Sequence, residues 1–147
     1  MRAKVIAVLA VLGLAAALAG CAPSGGVRYR TAIPAALKAS DPGITEAWAD
    51  QGLDGFTHYL SVGVTVDREK VTPKELGSMF AVILENNDLG VEQLQLAVTD
   101  PSGSNIDIET VAKQLDPAVK VVSDYSTLVI SFGDAAHLRD LAAGRTN

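Results

Sequence analysis

The stretch TPKELGSMFAVILENN, residues 72–87, sets the architecture because it carries the strongest helix signal in the chain. Thr72 and Glu75 have the spacing of a capping box, and Pro73 stands at the first helical position, where proline is tolerated. One apolar stripe follows at helical spacing: Leu76, Met79, Phe80, Ile83 and Leu84. The pattern predicts an amphipathic helix that buries this stripe against other elements.

The sequence just before this helix predicts a β-hairpin. Residues 56–67 (FTHYLSVGVTVD) alternate apolar and polar side chains with a period of two, which is the clearest strand signal in the chain. Residues 44–51 show a weaker strand pattern, and the sequence GLDG at residues 52–55 supplies turn residues between them. We therefore expect two antiparallel strands in front of the helix.

The rest of the chain alternates strands and helices. Periodicity and cap residues predict, in order, a strand at 93–99, a helix capped by Ser104 or Asp107, extended segments at 119–122 and 127–132, and a helix capped by Asp134. The order β-β-α-β-α-β-α predicts an α+β protein. We expect a mixed β-sheet of about four strands, with room for one more near Val121, and helices packed mainly on one face. Strand–helix–strand units predict parallel neighbours.

The N-terminal segment has the layout of a bacterial export signal. Arg2 and Lys4 precede an uncharged apolar run, which is shorter than the roughly 20 residues that a membrane span needs. The sequence LAGC at residues 18–21 resembles the lipobox of bacterial lipoproteins, over residues 1–21 only. The resemblance implies cleavage before Cys21 and a diacylglyceryl group on its sulfur. The alternative is an ordinary signal peptide with a chance cysteine near its end.

Charge divides the remaining chain into two parts. Residues 21–40 contain Arg28, Arg30 and Lys38 and no acid, whereas residues 41–147 contain all 17 acids against seven bases, a formal charge of −10. The predicted organisation is a signal peptide over 1–20, a lipidated N-terminus and basic tether over 21–40, and a single acidic domain over 41–147.

This charge distribution constrains the partners. Each cation near an anionic membrane surface contributes about 1 kcal/mol of attraction, although three linker cations can also be incidental. An acidic domain without a basic stripe lacks the main phosphate-binding term, so we expect no nucleic acid. A short helix starting at Pro34 is expected within the tether.

The hairpin provides the candidate partner surface. If Gln51 pairs with Phe56 across the turn, Trp48 lies opposite Tyr59 on the face away from the core, with Ile44 nearby. An exposed aromatic pair on a sheet is a surface for a partner or a small apolar ligand. The alternatives are that a helix or tail covers the pair, or that it only stabilises the hairpin.

The chain shows no metal or catalytic pattern. His58 and His137 have no ligand residues at metal spacing, and we expect His58 at the edge of the core. The oxygen-rich loop that begins at Asp100 does not match a calcium loop, because Asn105 and Val111 occupy its sixth and twelfth positions. We expect no cofactor, and a turn followed by a helix cap accounts for this loop.

These observations predict a lipid-anchored protein on the extracytoplasmic side of a bacterial membrane. Its domain would act as a non-catalytic binding or scaffolding module in the cell envelope, with an envelope protein or small apolar ligand as partner. Two alternatives stay open. One is an envelope-facing enzyme whose site is assembled from sequence-distant residues, and the other is an accessory subunit of a membrane complex.

Overall fold

A computed structural model of the chain describes residues 26–124 and 126–145. The predicted signal peptide and Cys21 lie outside the described residues. Within the described part, four helices and five strands follow each other. They are α1 (Tyr29–Ser40), β1 (Ile44–Asp54), β2 (Thr57–Val66), α2 (Pro73–Asn86), β3 (Gln93–Thr99), α3 (Ile108–Leu115), β4 (Val122–Asp124), β5 (Thr127–Ser131) and α4 (Phe132–Ala142).

The strands form one mixed sheet in the order β1-β2-β3-β5-β4. β1 is antiparallel to β2, β2 is parallel to β3, and β5 is antiparallel to both β3 and β4. The predicted α+β class is confirmed. The predicted order of elements broadly matches from β1 onward, with β4 as the extra strand near Val121 and with α1 in front of β1.

The neighbour of β3 differs from the prediction. A strand–helix–strand unit predicts that β3 pairs with a parallel strand, and this is wrong for β3 and β5, which are antiparallel. The reason is the short strand β4, which follows α3 and pairs with β5 as a hairpin. β5 then runs back between β3 and β4. The first strand after α3, which is β4, therefore lies at the edge of the sheet rather than next to β3.

The helices pack on one face of the sheet, as the alternating strand pattern predicts. Thr72 and Glu75 form the predicted capping box: the Thr72 amide donates to Glu75 Oε2 at 2.7 Å, and the Glu75 amide donates to Thr72 Oγ1 at 3.3 Å. The inward side chains of β2 and β3 and most of the α2 stripe are buried together: Leu60, Val62, Val64, Val66, Leu94, Leu96, Val98, Leu76, Met79, Phe80 and Ile83. α1 and α4 pack against α2 in the same layer.

The folded unit begins before the predicted boundary at residue 41. α1 covers most of the predicted tether, and its Tyr29, Ile33 and Leu37 are buried in the core. The predicted short helix at Pro34 is therefore the second half of a longer one, with Pro34 inside it. A stripe of only one apolar residue per turn is a weak signal, which is why the sequence pattern places this segment in a linker.

The hairpin register also differs from the prediction. Asp54 pairs with Thr57, so the loop is the two residues Gly55 and Phe56, and Gln51 lies opposite Leu60 rather than Phe56. Gly55 has a φ of +59°, which is the conformation that two-residue hairpin loops require at this position. The register changes by an even number of residues. The predicted faces of both strands are therefore kept, while the opposing partners change.

Candidate binding surface

The sheet has one face without helices, which we call the open face. It is formed by alternate residues of β1, β2 and β3, and most of them are small or polar and partly exposed. On this face, β1 contributes exposed side chains, β2 contributes hydroxyl groups and β3 contributes side-chain amides. Its members on these three strands are Glu46, Trp48, Asp50, Gly52, Tyr59, Ser61, Gly63, Thr65, Gln93, Gln95, Ala97 and Thr99.

Trp48 is the most prominent side chain of the open face. It lies directly opposite Gly63 on β2, and its indole covers that glycine: a Cβ atom added at Gly63 would lie 2.2 Å from the indole Cε2 and Nε1 atoms. The side chain is nevertheless 53% exposed. The missing side chain at Gly63 therefore lets the ring lie on the backbone of β2 while its other side faces solvent.

Tyr59 repeats this arrangement further along the hairpin. It lies opposite Gly52, and a Cβ atom at Gly52 would lie 2.1 Å from the Tyr59 Cζ atom. Tyr59 and Trp48 thus share the open face, as the sequence predicts, but the predicted cross-strand pair between them is wrong. Gly63 is four positions after Tyr59 on β2, which corresponds to about 13 Å along the strand.

Ile44 does not belong to the open face. The register between β1 and β2 shifts between Ile44 and Glu46, which inserts Thr45 as an extra residue. Such a bulge reverses the alternation on one side of it. Ile44 consequently points to the helices, where it is 4% exposed and part of the core. The sequence prediction that places Ile44 beside the aromatic residues is therefore wrong.

We expect Gly63→Ala to displace the indole of Trp48 without changing the charge of the open face. The new methyl group would occupy the position of the ring, and the ring can turn away because it is the far end of a side chain. The emission of Trp48, the single tryptophan, should shift to longer wavelength as the ring enters water. Unfolding free energy should change by less than about 1 kcal/mol, because alanine is favoured over glycine within a strand.

Gly90→Ala is the matched control for this variant. A Cβ atom at Gly90 would meet no heavy atom within 4 Å, so Trp48 emission should stay as in the wild type. An unchanged emission spectrum for Gly63→Ala would contradict the placement of the indole over Gly63.

Acidic side chains flank Trp48 on the open face. Glu46 and Asp50 lie two residues before and after it on the same strand and are exposed. Asp50 Oδ1 accepts from Arg30 Nη2 at 2.7 Å, with both side chains more than half exposed, so this ion pair is weak. Within the described residues, Glu46 takes part in no ion pair. Trp48 therefore lies between two carboxylates, one of which has no cation of its own.

Neither histidine lies on the open face. His58 is exposed, rather than at the core edge as predicted, because the hairpin extends beyond the helices, and its Nδ1 lies 3.4 Å from Gln51 Nε2. His137 Nε2 lies 3.2 Å from Asp116 Oδ2 and links α4 to the end of α3. In the part of the chain that the structure describes, no hydroxyl group is bonded to this pair. No group of three potential metal ligands occurs there either.

The oxygen atoms of the loop after β3 accept hydrogen bonds from neighbouring groups of the same segment. Asp100 Oδ1 accepts from the amides of Ser102 and Ser104 at 2.8 and 3.0 Å and from the Ser102 hydroxyl at 2.6 Å. These hydrogen bonds hold the pKa of Asp100 below its ordinary value, and the bond from the Ser102 hydroxyl has the largest effect. Asp107 then caps α3 through the amide of Thr110. The predicted turn and helix cap are confirmed.

A cluster that sequence reasoning misses surrounds Arg68 and is structural. Its guanidinium contacts Asp41 at 2.5 Å, Asp67 at 3.1 Å and Glu75 at 3.1 Å, which joins the end of α1, the end of β2 and the start of α2. Partial burial alone would raise the pKa of Asp41, but the hydrogen bonds from Arg68 and the Gly43 amide lower it. A cavity of about 430 Å³ lies beside this cluster and is bounded by Asp41 and Glu75.

No family model matches this chain, and no curated protein or solved structure is significantly similar to it. Among the described residues, none of the helices has both the length and the apolar character needed to cross a membrane. The class of the protein therefore rests on its fold: an α+β domain with a mixed sheet, helices on one face, and an open face that carries exposed aromatic residues.

Proposed function

We propose that this chain is a lipid-anchored envelope protein whose domain is a non-catalytic binding module, and that the open face binds a basic, extended segment of a partner protein. One observation carries the proposal. The indole of Trp48 covers Gly63, is half exposed, and lies between Glu46 and Asp50 on the same face.

The charge of the partner follows from this arrangement. A guanidinium or ammonium group above an exposed indole gains about 0.5–1 kcal/mol from the ring alone. Glu46 and Asp50 add a carboxylate on each side, and the whole chain carries a formal charge of −5. Asp50 already pairs with Arg30, but an anionic or purely apolar partner would leave Glu46 without a compensating cation, so a cationic segment fits this surface best.

The extended conformation of the partner follows from the position of β1. β1 is the outermost strand of the sheet on its side, and it is 11 residues long. An edge strand offers backbone N–H and C=O groups to an additional strand, and alternate side chains of that strand then reach the open face. The acids along β1 disfavour pairing between two copies of this chain, because like charges would meet across the interface.

The location of the protein rests on the lipobox resemblance. Two acyl chains on Cys21 would hold the domain at the outer side of a bacterial membrane, whereas a single chain binds only marginally. In that position the open face meets other envelope proteins. An accessory subunit of a membrane complex would use the same surface and differ only in its partner.

A titration with synthetic peptides tests the binding proposal. A peptide of alternating Lys and Thr, as long as β1, should change the emission of Trp48 in a saturable and salt-sensitive manner. A peptide of alternating Glu and Thr should not. Glu46→Gln removes one carboxylate that has no ion-pair partner within the described residues, and it should weaken binding about two- to fivefold, the range of an exposed ion pair.

Two outcomes would contradict the proposal. One is an equal response of Trp48 to the acidic and the basic peptide, since charge would then have no role. The other is an unchanged affinity of Glu46→Gln for the basic peptide. Glu85→Gln is the matched control, because it also removes one carboxylate and Glu85 is exposed on α2, in the helical layer away from the open face.

An enzymatic role is the second candidate, and the contact between His137 and Asp116 favours it. A histidine next to a carboxylate is part of many acid–base sites. In this fold the pair joins the middle of α4 to the C-terminal end of α3 at an exposed position, and neither residue lines the cavity beside Arg68. The binding role therefore accounts for more of the observed surface.

A further inference from the structure

The tip of the β1–β2 hairpin exposes apolar side chains at one end of the molecule. Within the described residues, five large apolar side chains are more than half exposed, and three of them lie at this end. Phe56 in the two-residue loop is fully exposed, Leu53 is 59% exposed, and Val27 in front of α1 is 58% exposed. The neighbouring His58 is also exposed, which shows that the strands continue past the helical layer.

The start of α1 lies at the same end of the molecule. α1 and β1 are joined by the short turn at residues 41–43, so the two elements run in opposite directions. Arg30, in the first turn of α1, binds Asp50 on β1 at 2.7 Å. Gly55 lies five residues beyond Asp50, so the hairpin projects about 17 Å past the start of α1.

The lipid anchor would reach this end through a short segment. Gly26 lies at Leu89, beside the end of α2, since a Cβ atom at Gly26 would be 2.5 Å from Leu89 Cδ2. Gly26 is five positions after Cys21, and five steps of fully extended chain span at most about 18 Å. The greatest reach of the anchor from Gly26 is therefore comparable to the projection of the hairpin beyond the start of α1. When the acyl chains lie in a bilayer, the tip can touch the surface of the same bilayer.

We propose that Phe56 and Leu53 insert into the interface of the membrane that holds the acyl chains of Cys21. This inference rests on the lipid anchor of the proposed function and adds an orientation to it. The acyl chains attach the protein, and the hairpin tip fixes its direction. The strands of the hairpin then run away from the membrane. The open face with Trp48 is roughly perpendicular to the membrane plane and stays accessible to a partner.

The charge near the tip determines which lipids it prefers. Asp54 directly precedes the loop and is exposed, whereas Asp50 lies further from the tip and pairs with Arg30. Asp54 opposes contact with anionic headgroups, so insertion depends on the apolar side chains. Aromatic side chains favour the boundary between headgroups and acyl chains. Insertion should accordingly be at least as strong in phosphatidylcholine vesicles as in vesicles that also contain phosphatidylglycerol.

A fluorescent reporter beside Phe56 tests this inference on the lipidated full-length product. Cys21 is the only cysteine, and the lipid thioether occupies it, so a cysteine introduced elsewhere is the single free thiol. Thr57→Cys and, as a control beyond the opposite end of β2, Lys70→Cys would each carry a nitrobenzoxadiazole group. The proteins would be reconstituted in phosphatidylcholine vesicles with and without nitroxide-labelled lipid.

The label at position 57 should show a several-fold higher, blue-shifted emission that nitroxide lipid quenches, while the label at position 70 should resemble the label in water. Adding Phe56→Asp to Thr57→Cys should remove the effect, with an unchanged circular dichroism spectrum because Phe56 is outside the core. Equal signals at positions 57 and 70, or a signal that Phe56→Asp leaves intact, would overturn the inference.

Two further outcomes distinguish membrane contact of the tip from self-association and from loss of the anchor. A signal at position 57 that disappears on dilution of the protein at constant lipid would indicate a second copy at the tip, which overturns the membrane contact. A product that does not float with vesicles and keeps a reactive Cys21 thiol would overturn the anchor and the tip contact together. A product that floats but shows no signal at position 57 overturns only the orientation.

Discussion

Cys21→Ser should transfer nearly all of the protein from the membrane fraction to the soluble fraction and abolish its labelling with palmitate. Serine has no thiol to accept the diacylglyceryl group, and each buried methylene group of an acyl chain contributes about 0.8 kcal/mol. A chain of ordinary length therefore supplies more binding energy than two interfacial side chains. Phe56 and Leu53 alone, at about 1.5–3 kcal/mol each when fully buried, cannot replace it.

Vesicle flotation and metabolic labelling measure these two effects independently. Ser24→Ala, three residues after Cys21, is the matched control, because it keeps the thiol and the residues before it. It should float and take up label as the wild type does. A Cys21→Ser protein that still incorporates palmitate would show that another residue is acylated, and an unlabelled wild type would favour the ordinary signal peptide.

The sequence predicts the faces of the hairpin correctly but not its register. Alternation with a period of two assigns Trp48 and Tyr59 to the same face, whatever the exact pairing, as long as the register changes by an even number. The loop itself is not determined by alternation, because GLDG and the Gly55–Phe56 pair both contain turn-forming glycine. The structure resolves this choice: Gly52 is needed inside β1, where the ring of Tyr59 covers it.

Glycine inside a predicted strand is the signal that could have identified the open face. Gly63 interrupts the alternating pattern of residues 56–67, and Gly52 lies inside β1 although the sequence pattern places it in the turn. Glycine inside a strand usually marks a close approach of another group. Here the approaching groups are the rings of Tyr59 and Trp48 from the opposite strand. An aromatic residue and a glycine directly opposite each other on neighbouring strands therefore predict an aromatic ring that covers the glycine.

Two features of the fold could not be predicted from local patterns. The bulge at Thr45 turns Ile44 toward the core, and a period of two carries no information about an inserted residue. β5 pairs with both β3 and β4. Which of the two strands of the β4–β5 hairpin lies next to β3 depends on how all three strands pack, and the local sequence of one strand does not determine it. By contrast, α2 combines a cap, an N-terminal proline and a full apolar stripe, so local signals suffice for it.

The membership of α1 in the domain leads to the second large expected effect. Leu37→Ala should lower the free energy of unfolding by about 2–5 kcal/mol, the range for removal of a fully buried leucine side chain. Leu37 has no exposed surface and packs in the core with Ile33 and Tyr29. A typical domain is stable by only about 5–15 kcal/mol, so this loss is a large share of the total.

Lys38→Ala tests the same helix at the adjacent, exposed position, and the pair of variants decides between a tether and a core helix. If residues 29–40 were a flexible tether, both substitutions would leave urea unfolding unchanged. Because α1 packs on the sheet, only Leu37→Ala should lower the midpoint, while Lys38→Ala should stay within about 0.5 kcal/mol of the wild type. Equal urea midpoints for Leu37→Ala and the wild type would show that α1 is not part of the core. They would also weaken the membrane orientation proposed above, since the position of the anchor relative to the hairpin tip depends on where α1 begins.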